Sequence, residues 1–202
     1  MPIAKRMFDI VAAVVLLALL VPVICLVALL VLILDGRPVM YFSERMKNTR
    51  EGFVLYKFRT METVLSDYGV SGGDKSARIT RLGAFLRRSR LDELPQLWNI
   101  LRGDMSFVGP RPPLRVYVER FPAIYEKVLR ARPGLTGLAT LVFHKHEEAL
   151  LKRSPSQEET DKIYTRLCIP RKARLDMIYQ DRRTFCLDLH ILLKTVFRRL
   201  PL

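Results

Sequence analysis

From Ile10 to Leu34 the chain carries no charged residue. At a rise of about 1.5 Å per residue, these 25 residues could cross a hydrocarbon core of about 30 Å as a helix. The run is too long for the core of a signal peptide, and no small-residue cleavage site follows it. Pro22 lies in its middle, where it removes a backbone hydrogen bond and bends the helix. Basic residues flank the run on both sides, Lys5 and Arg6 before it and Arg37, Arg45, Lys47 and Arg50 after it. The positive-inside rule assigns both flanks to the cytoplasm. A helix that enters, bends at Pro22 and returns satisfies that rule. An ordinary single-pass anchor with positive charge at both ends remains the alternative. Asp9 and Asp35 bracket the run and are expected at the membrane interface, since a charge at the bilayer centre is costly.

The pattern changes after Gly36. Val39 to Phe42 and Phe53 to Phe58 read as short extended segments with a polar loop, Met46 to Gly52, between them. Alternation puts Lys57 and Arg59 on one side of the second segment, where two cations can grip a diphosphate or simply face solvent. Val70 to Asp74 is a flexible break. Ile79, Leu82, Phe85 and Leu86 then mark an amphipathic helix with Arg78, Arg81, Arg88 and Arg90 on its other face, suited to lying in a membrane surface. Its last turn brings Arg87 towards Asp92.

Leu91, Leu94, Leu97, Trp98 and Leu101 recur at the spacing of one buried helix face. Pro95 belongs in the first turn of that helix and Gly103 ends it. Asp92 and Glu93 therefore stand at a helix start, where free N–H groups favour negative charge and acids commonly act as caps. The run Val108-Gly-Pro-Arg-Pro-Pro113 is stiff, because its prolines fix φ. An arginine held there can aim its planar fork at a phosphate or carboxylate, or pair with a surface acid. Further on, Tyr117, Phe121, Ile124, Tyr125, Val128 and Leu129 continue an amphipathic pattern across Pro122. Pro133 to Gly137 reads as a turn, and Glu147 to Asp161 as a polar, linker-like helix. Ile163 to Leu202 is helical and basic, with Phe185, Leu189, Leu192, Val196 and Leu200 on one face, a core helix or an interfacial one.

Composition adds a constraint on partners. The formal net charge of +14 and a pI near 10.1 call for a polyanionic partner or surface. Mean hydropathy is +0.11, high for a chain with 27% charged residues, which fits a charged body attached to a membrane. The aromatic residues sit at core-like spacings rather than interleaved with a basic groove, so an anionic lipid leaflet is favoured over nucleic acid. The three cysteines, Cys25, Cys168 and Cys186, show no metal spacing or disulfide framework, consistent with a reducing compartment. His144 and His146 read as solvated side chains rather than metal ligands.

The run Ser89-Arg-Leu-Asp-Glu-Leu-Pro-Gln-Leu-Trp-Asn-Ile-Leu-Arg-Gly-Asp-Met-Ser-Phe-Val-Gly-Pro-Arg-Pro112 resembles the core of the bacterial sugar transferases, the monotopic phosphoglycosyl transferases that act on polyprenol phosphate. Lys57 to Met61, Arg78 to Arg81 and Pro133 to Gly137 match further motifs of that family in the same order. The resemblance runs from Lys5 to the C-terminal helix and looks like the short form, catalytic domain only.

The resemblance implies an α/β membrane-associated fold. A re-entrant helix would occupy residues 1–36, and a catalytic domain with interfacial helices and a small sheet would occupy residues 37–202. It implies transfer of a sugar 1-phosphate from a UDP-sugar to polyprenol phosphate with release of UMP, at the cytoplasmic face of a bacterial inner membrane, with Mg²⁺ as cofactor. Carried over, Asp92 is the nucleophile and a magnesium ligand, and Glu93 supports it or handles a proton. Arg111, Lys57, Arg59 and Arg87 bind substrate. The chain departs from the family pattern at Val21, where a serine is usual. It also lacks a glycine early in the 46–52 loop, and has Leu138, Thr140 and Phe143-His-Lys-His146 where tryptophan, glutamine and an arginine are common. Two other classes stay open. A two-carboxylate hydrolase is disfavoured because adjacent side chains are poorly placed to flank a glycosidic bond. A basic membrane adaptor would leave the acid pair and Arg111 without a role.

Overall fold

The computed structural model describes residues 3–64, 69–70 and 72–197. Ser71 of the expected break and Leu200 of the expected C-terminal face lie outside the described residues. Helix α1, Ile3–Leu34, holds Pro22 within it and is long and apolar enough to cross a membrane. Val14, Val15, Leu19, Val21, Leu26 and Leu29 stay exposed along it, an apolar surface that water would not tolerate easily.

Both halves of α1 nevertheless pack against the rest of the chain. Ala13 lies among Phe53, Leu97, Ile100 and Phe107, while Val27 and Val31 cluster with Phe58 and Leu86. Polar ties reinforce each end. Lys5 Nζ is 2.8 Å from Asp9 Oδ1 and 3.4 Å from Asp188 Oδ2, and Ser106 Oγ donates to Asp9 Oδ2 at 2.7 Å. Arg6 donates to the carbonyls of Ile100 and Leu101 at 2.6 and 2.7 Å. At the other end Thr80 Oγ1 donates to Asp35 Oδ2 at 2.8 Å. Asp9 is thus fully buried in a paired network within the protein.

Strands β1 (Met40–Met46) and β2 (Gly52–Phe58) form an antiparallel hairpin, longer than the two expected segments because pairing extends to the edges of the polar loop. Directly opposed residues share a face. Tyr41, Ser43 and Arg45 therefore stand beside Lys57, Leu55 and Phe53. Helix α2 (Arg81–Ser89) starts on Thr80, whose hydroxyl accepts from the N–H of Gly83. Leu86 is buried, whereas Phe85, expected on the apolar face with it, is exposed beside Arg81 and Arg88.

After a single 3₁₀ turn, Leu91–Glu93, helix α3 (Gln96–Arg102) begins later than the sequence suggests. Pro95 is its cap residue rather than its first turn, and Gly103 ends it at φ 85°. Its buried face is Gln96, Leu97, Asn99 and Ile100, whereas Trp98 points outward at 53% exposure. The reason is Asn99, which donates to the Val54 carbonyl and accepts from the Tyr56 N–H, fixing the face that meets β2.

Strand β3 (Ser106–Val108) follows, then α4 (Arg115–Arg120) and α5 (Pro122–Val128), broken at Phe121 and Pro122. Strand β4 (Gly134–Thr136) pairs with β3 in parallel, so Pro133 to Gly137 contains a strand and not only a turn. Glycines permit this: a Cβ on Gly134 would lie 2.1 Å from the Gly109 nitrogen. Helices α6 (Leu138–Lys152), α7 (Gln157–Ile163), α8 (Ile169–Asp181) and α9 (Phe185–Val196) complete the chain, with a π turn at Tyr164–Cys168 before α8. The expected α/β character is therefore reduced to a mostly helical fold with two separate two-stranded ladders. Of three buried clusters among the described residues, one gathers Tyr117, Tyr125, Val128, Tyr164 and Cys168, a second gathers Leu97, Phe107, Tyr179 and Ile191, and the third is that of Val27, Val31, Phe58 and Leu86. On α9, Ile191 faces inward while Phe185, Leu189, Leu193 and Val196 remain exposed.

Candidate active site

Three elements converge on the turn between α2 and α3. Helix α2 ends on Arg90, whose left-handed backbone (φ 60°, ψ 16°) reverses the chain into the Leu91–Glu93 turn. That reversal carries Asp92 and Glu93 inward, to 5% and 8% exposure. The loop after β3 delivers Arg111, whose Nη2 is 2.8 Å from Glu93 Oε1. Strand β2 delivers Lys57. Helix α2 delivers Arg87, whose Nε donates to Thr60 Oγ1 at 2.9 Å. A cavity of about 20 Å³ is lined by Arg45, Leu55, Lys57, Gln96, Arg111 and Pro112. A larger open concavity, about 550 Å³ along α7 and the π turn, involves none of these residues.

The two carboxylates differ in state. Burial pushes the Asp92 carboxyl up, and the neighbouring Glu93 pushes it further; Lys57, Arg87 and Arg111 offset only part of this. Burial acts the same way on Glu93, but Arg111 and Arg90 outweigh it and hold Glu93 below the usual carboxylate range. Glu93 in turn keeps Arg111 firmly protonated, against the effect of burial. Lys57 is pushed down to about 8, by burial and then by Arg87. Arg45 is lowered to about 10, by burial and then by Arg111.

Asp92 Oδ1 is buried and makes no hydrogen bond. A buried carboxylate oxygen without a partner is costly unless a cation or an electrophile is to occupy the space before it. Mg²⁺ takes oxygen ligands and characteristically uses one or two carboxylates together with substrate phosphates and water. Asp92 fits that requirement. Among the described residues no group of three or more His, Cys, Asp or Glu side chains forms a protein cage, so substrate and water would supply the remaining ligands.

Of the residues picked from sequence, the fold gathers Asp92, Glu93, Arg111, Lys57 and Arg87. It sends Arg59 elsewhere. The strand ends at Phe58, and the Arg59 guanidinium bonds the carbonyls of Asp35 and Gly36 at the end of α1, the latter at 2.8 Å. The fold also adds residues that sequence reading did not assign to the site. Arg45 was legible in principle, since the hairpin register puts it on the Lys57 face. Gln96 lies one turn after the acids. Arg90 and His144 meet at 2.8 Å although 54 positions apart, and no local pattern foretells that. His144 is accordingly half-buried and not solvated.

This arrangement of a buried acid pair, a proline-held arginine and a membrane-type helix coincides with a family assignment. The bacterial sugar transferase family model matches residues 1–201, and the chain belongs to that family. The chain is 36% identical over 166 residues to the UDP-glucose:undecaprenyl-phosphate glucose-1-phosphate transferase of Escherichia coli (strain K12), covering 80% of this chain and 36% of that protein. It is 38% identical over 144 residues to the UDP-N-acetylgalactosamine-undecaprenyl-phosphate N-acetylgalactosaminephosphotransferase of Aeromonas hydrophila, covering 68% and 34%. It is 34% identical over 194 residues to the uncharacterized sugar transferase EpsL of Bacillus subtilis (strain 168), covering 96% and 86%. The chain thus spans about a third of the length of the first two relatives and most of the third.

Proposed function

We propose that this protein transfers a sugar 1-phosphate from a UDP-sugar to polyprenol phosphate, in the synthesis of a polysaccharide or glycoconjugate. The observation that carries the reading is Asp92: a buried carboxylate with an unbonded oxygen, ringed by Lys57, Arg87 and Arg111. The named activities of the relatives point the same way. Asp92 attacks the phosphorus that bears the sugar; the bond from that phosphorus to the bridging oxygen breaks, and UMP leaves with the electron pair. An oxygen of polyprenol phosphate then attacks the same phosphorus, breaking the acyl phosphate and restoring Asp92. Arg111, Lys57, Arg87 and Arg45 balance the charge of both anionic substrates. Glu93, held as an anion by arginines, orients the site rather than carrying a proton. Bound at Asp92, Mg²⁺ would neutralise part of the diphosphate charge.

The membrane arrangement we infer rests on α1. A spanning helix would put its ends on opposite sides of a hydrocarbon core about 30 Å thick. Here both halves grip one body, through Ala13 and through Val27 and Val31. That supports a helix that enters and returns, with the site at the cytoplasmic face of the inner membrane.

The test is Asp92→Asn. An amide keeps the shape and still accepts hydrogen bonds, so a mere helix cap would survive the change. UMP release should fall by about 10³-fold or more, as expected when the nucleophile is lost, while the thermal melt stays put. Intact-mass measurement of wild-type protein with UDP-sugar alone should show a sugar-phosphate adduct. Turnover by Asp92→Asn close to wild type sinks the assignment.

A further inference from the structure

Arg90 is the one non-glycine residue with positive φ among the described residues. A left-handed backbone costs a residue with a Cβ on the order of 1 kcal/mol, and such strain concentrates at functional positions. Its side chain joins two elements at the mouth of the site. Nη2 lies 2.8 Å from Nε2 of His144 on α6, and Nη1 lies 3.6 Å from Glu93 Oε1. The same Glu93 oxygen takes the 2.8 Å bond from Arg111. At 3.6 Å the Arg90–Glu93 contact is attraction without a hydrogen bond. A guanidinium has no acceptor, so His144 must be the acceptor and its Nε2 unprotonated. Burial, then Arg90, lower the His144 pKa and keep the ring neutral. One neutral imidazole therefore holds a half-exposed arginine that has further donors to offer. Around it, Arg45, Lys57, Arg87 and Arg111 already exceed the charge of the two carboxylates.

We propose that Arg90 contacts a phosphate of the nucleotide-sugar substrate, and that His144 is the positioning residue that holds its guanidinium ready. This deepens the transfer reading above and rests on it. The ligand class is a nucleoside diphosphate. Its anionic oxygens are strong acceptors, and Arg90 keeps its bond to His144 while its remaining N–H groups meet the phosphate. The planar fork suits that double contact, and a lysine at the same place would not reproduce it.

The experiment measures UDP affinity by calorimetry on the full chain in nanodiscs, beside the KM for UDP-sugar and for polyprenol phosphate. Arg90→Asn is the main variant, because asparagine accepts the left-handed backbone and the fold should survive. It should weaken UDP binding and raise the UDP-sugar KM about tenfold, leaving kcat and the polyprenol phosphate KM within about twofold. Arg90→Lys should recover only part of the loss. His144→Gln, which keeps an acceptor, should stay near wild type, whereas His144→Ala should raise the UDP-sugar KM severalfold without moving the melt. Unchanged UDP affinity in a folded Arg90→Asn overturns the proposal. So does a loss confined to kcat, which would mean that Arg90 acts only through Glu93. UDP binding is read without turnover, so a chain that binds UDP through Arg90 yet transfers nothing overturns the transfer reading and leaves the phosphate contact standing.

Discussion

Lys57 and Asp176 show what burial does to single charges in this chain. Lys57 is pushed down to about 8 by burial and by Arg87. It carries its charge below that pH and loses it above. UMP release should therefore decline as pH rises past about 8, and Lys57→Arg should carry the plateau to higher pH. Initial rates between about pH 6.5 and 10 check this; identical alkaline limbs would show that Lys57 does not serve the reaction. Asp176, on α8, has a buried Oδ1 without a hydrogen bond and is pushed up to about 7 by burial, with Glu147 adding to the rise and Lys172 opposing it. A carboxyl that holds its proton more tightly when folded loses stability as pH climbs from the ordinary aspartate range to its folded pKa, and the loss is complete above it. Asp176→Asn should therefore raise Tm at pH 8 by on the order of 5 °C, with the gain fading towards pH 4. Melts across that range decide it. An Asp176→Asn that melts lower at pH 8 would mean the carboxylate has a stabilising partner.

At the scale of elements, the small parallel ladder is what aims Arg111. Strands β3 and β4 can approach only where side chains are missing. A Cβ on Gly109 would stand 2.2 Å from the Arg132 carbonyl oxygen, and one on Gly134 would stand 2.1 Å from the Gly109 nitrogen. These are backbone atoms and cannot swing aside. Gly134→Ala should cost about 2–3 kcal/mol and displace the proline run that carries Arg111, so activity should drop further than the melt alone explains. A Gly134→Ala protein with wild-type Tm and rate would show the ladder is dispensable. Part of this level was readable in the sequence: the Gly103 stop and the two extended segments around the polar loop announced themselves through local chemistry. The face of α3 was not, because Leu and Trp spacing allows several rotations and only the bonds between Asn99 and β2 choose one.

Across the whole molecule, α1 ties membrane attachment to the site. Its first turns bond to α3, β3 and α9 through Arg6, Asp9 and Lys5, and its last turns meet β2 and α2 through Val27, Val31 and the Arg59-bonded carbonyls. The elements that supply Arg111, Lys57 and Arg87 are thus all seated on one helix. If α1 enters and returns, single cysteines placed near Lys5 and near Arg45 should both resist a membrane-impermeant reagent added outside intact cells, and both should react after lysis. Cys25 and Cys186 are exposed in the isolated chain and must first be replaced. Labelling of one site from outside would establish a spanning helix.

The sequence by itself determined what depends on near neighbours along the chain: the apolar α1, the acids ahead of α3, the stiff Val108 to Pro113 run and the motifs shared with the sugar transferases. These rest on backbone propensity, turn chemistry and runs of hydrophobicity, which act over a few residues. The tertiary structure decided which charges meet. It released Arg59 from the site to close the end of α1, brought His144 to Arg90, and left Asp92 Oδ1 buried without a hydrogen bond. Such outcomes depend on packing between residues tens of positions apart, where burial and opposing charge set each side chain's state, and no local pattern records them.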